Sequence, residues 1–260
     1  MTRTYEPSAE QIARMLIEAH ALELRDVPMM VTNAEVDRLP TQRQPFLYSS
    51  GNWGPGYVSI KNLVGRKDII KYLCHHLALR VADEVRSLGF IAGNVTGGMV
   101  PGWQLSEELE GMLGRRVPFV YIRGTRKKGG QKELITGITD NPEISPGANG
   151  LVVEELVNFA ESTCAGAVAL RDAGYQATHG ACILFYGNPE AIKTLGRHRV
   201  GMVYLLTLPR LLAVARWHRA FPGDAIADYE CFLTNPLEWQ GRRGLKPVRE
   251  NDTQPTVAKH

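Results

Sequence analysis

The chain has 260 residues, of which 44% are hydrophobic and 22% are charged, and its formal net charge is +3. This composition excludes a mainly disordered chain, because enough apolar surface is present to bury a substantial core. The small net charge does not by itself indicate nucleic-acid binding, and the mildly basic balance would not repel an anionic substrate.

Local sequence patterns do not favour a disulfide-rich protein, a Cys/His metal-binding protein or a membrane protein. Four widely spaced cysteines form neither a CxxC pair nor a Cys/His metal pattern: Cys74, Cys164, Cys182 and Cys231. Residues 1–11 are polar and do not resemble a signal peptide. The most apolar segment, residues 200–215, is interrupted by Pro209 and Arg210 and is too short to span a bilayer. We therefore expect reduced, mostly buried thiols in a cytoplasmic protein without membrane or nucleic-acid partners.

The N-terminal part predicts one helix and an irregular extension. Ser8 and Gln11 form a capping box, and apolar residues follow them at helical spacing. Residues 26–45 contain turn formers with weak periodicity, which indicates irregular structure. Residues 46–61 predict two short strands around a glycine-rich turn.

A long helix is predicted for residues 66–88, with an apolar stripe that reaches Leu88 and with Gly89 closing it. His75 and His76 are adjacent on this helix and do not share a face, so packing is favoured over metal binding. Strand and helix patterns then alternate. Strands are predicted at 90–95, 118–123, 150–155, 182–186 and 201–207, and helices at 101–113, 162–173, 189–196, 208–220 and 224–241. This order predicts a doubly wound, mostly parallel α/β sheet, followed by a polar tail that we expect to be disordered.

The first candidate loop, Thr96, Gly97 and Gly98, lies between a predicted strand and a helix. The two glycines allow the backbone to approach a ligand closely, and the helix start supplies N–H donors, so the loop is suited to bind an anion such as pyrophosphate. The alternative is a tight connection that binds no ligand.

The second candidate segment is basic and glycine-rich and follows the strand at 118–123. Arg123 and Lys127 are among its positive charges. A cationic lid suits a reaction that releases pyrophosphate, because closure expels water and strengthens charge interactions. A solvated basic loop is the alternative, and a nucleic-acid contact ranks low because interleaved aromatic residues are missing.

The third candidate is the pair Glu154 and Glu155, which ends an apolar strand before the turn at residues 158–163. Ligands of parallel sheets bind beyond the carboxyl ends of strands, and the next helix start attracts anions. The carboxylates can hold ribose hydroxyls or a cation. The alternative is that they cap a strand at the surface, since short patterns of this kind often match by chance.

With these motifs in order, residues 46–212 resemble the type I phosphoribosyltransferases, and most closely the orotate phosphoribosyltransferases. In the segment similar to the family's base site, Ser50, Gly51, Tyr57 and Lys61 stand in matching places. Three further segments resemble the pyrophosphate loop, the catalytic lid and the phosphoribosyl-diphosphate signature, namely residues 94–102, 121–137 and 152–163.

This resemblance implies a magnesium-dependent transfer of ribose 5-phosphate from phosphoribosyl diphosphate to orotate, with pyrophosphate released. It also implies a homodimer in which each lid reaches the neighbouring site. The implied catalytic residues are Glu155, Lys127 and Arg123, and the implied magnesium ligands are Glu154 and Glu155. The implied substrate-binding residues are Lys61, Tyr57, Thr96, Gly97, Gly98, Glu154, Asn158, Ser162 and Thr163.

Several positions depart from the family pattern. Glu155 replaces a usual Asp, while Gly124 and Gly129 replace an expected Lys and His of the lid. The usual turn Thr-Thr-Gly-Gly-Ser reads Asn-Phe-Ala-Glu-Ser at 158–162. The missing glycines restrict the backbone, and Glu161 adds a negative charge, so weak phosphate binding is predicted.

Three functions remain open at this point. They are an active orotate phosphoribosyltransferase, a related protein that only binds or senses a base or nucleotide, and an enzyme with an altered sugar substrate. The predicted organisation is an N-terminal helix and base-site hood at 1–65, an α/β core at 66–215 and a C-terminal extension at 216–260.

Overall fold

The computed structural model describes residues 8–48, 50–85, 87–124 and 134–248. The described helices are α1 Ala9–Glu18, α2 Lys67–Glu84, α3 Met99–Leu113, α4 Glu161–Asp172, α5 Pro189–His198, α6 Leu208–Trp217, α7 Gly223–Thr234 and α8 Pro236–Arg242. The described strands are β1 Leu22–Leu24, β2 Phe46–Leu47, β3 Trp53–Gly54, β4 Gly56–Val58, β5 Leu88–Asn94, β6 Phe119–Ile122, β7 Ile135–Thr136, β8 Asn149–Val157, β9 Gln176–Phe185 and β10 Gly201–Thr207.

The described residues divide into two compact units. One contains residues 8–15 and 60–211, and the other contains residues 16–59 and 212–248. The hood and the C-terminal extension, which were predicted as separate parts, thus supply most residues of the second unit.

A six-stranded sheet forms the centre of the first unit. Its strand order is β10-β9-β8-β5-β6-β7, with β7 antiparallel and the other neighbours parallel. The centre of β8 is fully buried at Leu151, Val152 and Val153, as a strand covered by helices on both faces requires. The predicted doubly wound α/β class is confirmed.

The N-terminal capping box is confirmed in the first unit. The backbone N–H of Ser8 donates to Gln11 Oε1 at 2.8 Å, and the backbone N–H of Gln11 donates to Ser8 Oγ at 3.2 Å. The two bonds occupy donors that a helix start would otherwise leave unpaired.

The predicted long helix ends earlier than expected. It stops at Glu84, and Ser87 adopts a left-handed turn with φ of 56° before β5 begins. Leu88 then pairs with Asn149 of β8. The prediction that Leu88 extends the helix and that Gly89 closes it was wrong, because the sheet uses both residues as strand.

The second unit contains two small antiparallel pairs and the helices α7 and α8. In these pairs Leu22 lies opposite Val58, and Phe46 lies opposite Gly54. The predicted single C-terminal helix is divided at Asn235, whose side chain accepts the N–H of Glu238 at 3.2 Å and restarts the chain as α8. An Asn cap followed by proline is a strong signal for a new helix start.

All four cysteines are free thiols, and Cys74, Cys164 and Cys182 are buried while Cys231 is exposed. This confirms the expected cysteine state. None of the described helices has the length and apolar character needed to cross a bilayer.

Arg171 of α4 stabilises the end of α5. Its guanidinium donates to the carbonyls of His198 at 2.7 Å, Arg199 at 3.2 Å and Ala177 at 2.5 Å. We expect Arg171→Met to lower the free energy of unfolding by about 2 kcal/mol, because three charged hydrogen bonds to backbone carbonyls are lost, two of them partly buried. Urea denaturation measures this change. The matched variant Lys193→Met removes only an exposed ion pair with Glu190 and should leave stability nearly unchanged; equal losses would contradict the assignment.

Candidate active site

The loop after β5 lies directly against the end of β8. A Cβ atom built on Gly97 would overlap the Glu155 carboxylate, and one built on Gly98 would overlap the Val153 carbonyl. The peptide bond between Val95 and Thr96 is cis. The two glycines are therefore required by the neighbouring strand, and they bring the predicted pyrophosphate loop and the acidic pair to one place.

Glu154 is buried and is held by an asparagine that the sequence did not single out. Asn94 Nδ2 donates to Glu154 Oε1 at 2.7 Å and to the Ser162 carbonyl at 3.0 Å. Burial raises the pKa of Glu154, the hydrogen bond from Asn94 opposes this, and the charge of Glu155 adds to it. One amide group thus joins β5, β8 and the first turn of α4. A polar residue ending a buried strand, before two glycines, was its only sequence signal.

Glu155 extends to the opposite face of β8, because successive side chains alternate along a strand. It is half-buried. Burial raises its pKa, while backbone N–H groups and the positive charge of Lys61 oppose the shift. Lys61 is exposed on a short 3-10 helix, Lys61–Gly65. The structure therefore brings Lys61, Glu155 and the glycine loop together.

The turn that precedes α4 keeps the left-handed backbone that glycine usually provides. Ala160 has φ of 61° and ψ of 13°. Asn158 is fixed by Asn188, whose Nδ2 donates to its carbonyl and to its Oδ1, both at 3.0 Å. The predicted restriction of the backbone by the missing glycines does not remove this geometry, because Ala160 adopts it despite its Cβ. The charge of Glu161 remains as the reason to expect weak phosphate binding at this turn.

The two predicted phosphate ligands in the first turn of α4, Ser162 and Thr163, differ in exposure. Ser162 is exposed, whereas Thr163 is 0% exposed and its Cγ2 contacts the strand position of Gly180. The Thr163 hydroxyl therefore packs inside the core instead of facing the turn. The prediction that Thr163 binds substrate can apply only to its backbone N–H.

The described part of the lid is its base. The backbone N–H of Arg123 donates to the Leu134 carbonyl at 2.9 Å, and its guanidinium donates to the Tyr121 hydroxyl at 3.2 Å. Lys127 lies outside the described residues, as do the remaining cations of the predicted lid. Arg123 thus begins the connection between β6 and β7.

Tyr57 lies in the second unit, in an aromatic stack. Its ring packs on Phe46 with centroids 5.5 Å apart, and the guanidinium of Arg25 lies 3.6 Å from the Phe46 centroid. The Tyr57 ring therefore stacks on Phe46, and Phe46 is itself held by its cation–π contact with Arg25.

The acidic pair does not form a joint chelating site by itself. Glu154 and Glu155 leave opposite faces of β8, and Glu154 Oε1 is engaged by Asn94. Within the described ranges no group of three or more His, Cys, Asp or Glu side chains could hold a metal ion. The donors fit an ion that takes one carboxylate, that of Glu155, and completes its shell with substrate and water, as Mg²⁺ does.

The buried carboxylate predicts an unusual dependence of stability on pH. Because the folded-state pKa of Glu154 lies above its ordinary value of 4.5, the folded protein keeps this proton while the unfolded chain has already lost it. Stability from this group is full below pH 4.5 and falls as pH rises through the folded-state pKa. Glu154→Gln should therefore raise the Tm at neutral pH, and the gain should disappear in acid.

Calorimetric scans across pH provide the measurement. Glu35→Gln is the control of opposite sign, because hydrogen bonds from Thr32 lower the pKa of Glu35 and its stabilisation exists only above its ordinary pKa. A lower Tm for Glu154→Gln at neutral pH would contradict the burial argument.

Comparisons with known proteins agree with this geometry. No family model matches the chain. The chain is 31% identical over 249 residues to an orotate phosphoribosyltransferase of Cereibacter sphaeroides, covering 94% of this chain and 96% of the relative. It is 32% identical over 240 residues to one from Ruegeria, covering 90% of this chain and 95% of the relative.

Solved structures share the fold. An orotate phosphoribosyltransferase from Aeropyrum pernix matches with a TM-score of 0.61 at 21% identity, covering 79% of this chain and 98% of that one. The UMP synthase of Leishmania donovani matches with a TM-score of 0.64 at 18% identity, covering 88% of this chain and 43% of that one. On the strength of its curated relatives, the chain belongs to the orotate phosphoribosyltransferase family, a class of pentosyltransferases.

Proposed function

We propose that the protein transfers the ribose 5-phosphate group of phosphoribosyl diphosphate to orotate. The bond between ribose C1 and a pyrophosphate oxygen breaks, a bond between C1 and an orotate nitrogen forms, and the proton of that nitrogen is released. The observation that carries this proposal is the contact between the glycine loop at 95–98 and Glu155. It brings a loop suited to pyrophosphate beside a carboxylate suited to ribose.

Charge complementarity along the broken bond is the main catalytic effect in this proposal. Thr96, Gly97 and Gly98 bind the leaving pyrophosphate, and Arg123 and Lys127 neutralise its developing charge. Groups placed in advance where charge develops lower the barrier more than groups that must reorganise. Glu155 faces the ribose, where its negative charge stabilises positive charge developing at C1, and the positive charge of Lys61 opposes the rise in the Glu155 pKa that burial causes.

Magnesium enters this proposal with the substrate. Glu155 would hold it together with substrate oxygens and water, and Glu154 would support the site from the buried side through Asn94. When bound, the ion would supply neutralising charge to the diphosphate. The residues of the chain bind, orient and exclude water around it.

The base would bind to the segment at 46–61, in which Tyr57 offers an aromatic ring that is packed on Phe46. Stacking on such a ring suits a planar base. The four free thiols support the expectation of a cytoplasmic protein.

A homodimer is also part of the proposal. Three large apolar side chains near the pyrophosphate loop are solvent-exposed in the single chain, namely Val95, Val100 and Trp103, the last at 57%. Exposed apolar side chains close together in the chain, beside the proposed active site, suit burial in an interface between subunits. Sedimentation velocity measures this state directly.

The turnover test uses purified protein with orotate, phosphoribosyl diphosphate and Mg²⁺, and follows the loss of orotate. We expect Glu155→Gln to lower kcat/KM by about 100-fold, because a preorganised charge at the reacting centre is lost. The control Glu143→Gln removes an exposed partner of Arg116 and should retain activity. Absence of turnover in the unaltered protein would refute the proposed reaction.

Glu161 favours a second candidate, a protein that binds a base or nucleotide but binds the sugar phosphate weakly. Its exposed carboxylate lies in the first turn of α4, where a phosphate would otherwise use the free N–H groups. Weak phosphate binding together with tight nucleotide or base binding would support this candidate. The altered-sugar enzyme would instead turn over a donor without the 5-phosphate.

Two single variants separate charge from backbone geometry at this turn. Glu161→Gln should tighten binding of ribose 5-phosphate about fivefold, because removing one nearby negative charge contributes about 1 kcal/mol. Ala160→Gly should leave that affinity unchanged, since φ is already 61°. It should instead raise the free energy of unfolding by about 1 kcal/mol by relieving the left-handed alanine. Titration calorimetry measures both affinities. If Ala160→Gly binds ribose 5-phosphate more tightly and Glu161→Gln does not, the weak phosphate binding is caused by the missing glycine.

A further inference from the structure

A chain of side-chain amides runs from α8 to the loop between β2 and β3. Gln240 is 1% exposed; its Oε1 accepts the Trp53 N–H at 2.9 Å, and its Nε2 donates to Asn52 Oδ1 and to the Pro236 carbonyl, both at 3.3 Å. Asn52 Nδ2 then donates to Ser50 Oγ at 3.2 Å. The chain thus begins at a buried helix residue and ends at an exposed hydroxyl.

The direction of every bond in this chain is determined by the backbone. A backbone N–H can only donate, so the Gln240 atom that faces Trp53 must be oxygen. The other Gln240 atom is therefore nitrogen, and Asn52 must present its oxygen to it. Asn52 Nδ2 is left to face Ser50. The usual ambiguity between amide oxygen and nitrogen does not arise here.

Among the described residues, the Ser50 hydroxyl consequently acts only as a hydrogen-bond acceptor. Its Oγ accepts from Asn52 Nδ2 and, at 3.4 Å, from the Asn52 backbone N–H. These two bonds occupy both lone pairs of a hydroxyl. No residue in the described part of the chain accepts the Ser50 proton, and Ser50 is exposed. The proton is available to a ligand acceptor.

The loop that carries Ser50 is held in place by the C-terminal segment. Trp53 Nε1 donates to the Lys246 carbonyl at 3.1 Å, and the Val248 N–H donates to the Gly51 carbonyl at 2.7 Å. Asn33 exchanges two hydrogen bonds with the Lys246 backbone, at 2.8 and 2.9 Å. A donor on a loop that is already ordered binds its ligand at a smaller entropy cost.

We propose that Ser50 is a specificity-determining donor for the base, and that Gln240 is a positioning residue that sets its polarity through Asn52. This inference rests on the proposed function, in which the segment at 46–61 binds the base. The base must then present a carbonyl or carboxylate oxygen to Ser50. Orotate carries both kinds of oxygen, whereas a base presenting an N–H group there would find no acceptor.

Replacing Asn52 by aspartate tests the polarity without a large change of shape. The new carboxylate still accepts from Gln240 Nε2, but it also accepts the Ser50 proton and so removes the donor. We expect Asn52→Asp and Ser50→Ala each to raise the KM for orotate about tenfold, with the KM for phosphoribosyl diphosphate unchanged. The double variant should be no worse than Ser50→Ala alone, because Asn52 acts through Ser50.

Asn141→Asp is the matched control. It introduces the same charge and removes one amide hydrogen bond, that from Asn141 Nδ2 to the Gly137 carbonyl, in a turn from which no hydrogen bond between described residues leads to the Ser50 loop. Its KM for orotate should equal that of the unaltered protein. An unchanged KM for Asn52→Asp, an equal rise for Asn141→Asp, or a double variant whose effects multiply would each overturn the inference.

The proposed reaction and this inference fail in distinguishable ways. If the unaltered protein turns over orotate, the KM ratios decide the inference alone. If it binds orotate without turnover, the proposed reaction fails, and dissociation constants from calorimetry for the same variants decide the inference. If it neither converts nor binds orotate, both are overturned.

Discussion

The buried carboxylate of Glu154 is the constraint on which the rest of the site depends. A carboxylate that leaves water needs a hydrogen-bonding partner, and Asn94 supplies it while also binding the Ser162 carbonyl. This single amide determines where β5, β8 and the start of α4 meet. Glu155, the next residue, is consequently directed to the other face, toward the glycine loop and Lys61.

The two candidate anion-binding turns, before α3 and before α4, differ in backbone packing and in charge. At α3 the glycine loop is so close to β8 that side chains would overlap Glu155 and the Val153 carbonyl. At α4 a left-handed alanine, Ala160, keeps the turn geometry at a cost of about 1–2 kcal/mol. This turn therefore differs from the family pattern mainly in electrostatics, because Glu161 adds a negative charge.

In the second unit, the direction of the hydrogen bonds determines which side-chain atoms act as donors. Gln240, fully enclosed, transmits the donor character of a backbone N–H through Asn52 to Ser50. A residue of the C-terminal extension thus orients the side chains of the predicted base-site loop. Gln240 and Trp53 are 187 residues apart in the chain, so no local pattern could have linked them.

The sequence by itself determined the strand and helix order, the glycine loop, the acidic pair and the family, because apolar periodicity and short motifs are local properties of the chain. Its errors were local as well: Leu88 fits a helical stripe, yet sheet pairing with Asn149 outweighs that preference. The tertiary structure alone decided the partners of the polar groups, namely Asn94 for Glu154, Asn188 for Asn158 and the core for Thr163. Such partners are 30 to 60 residues apart, and burial and hydrogen bonding between them exist only after the chain has folded.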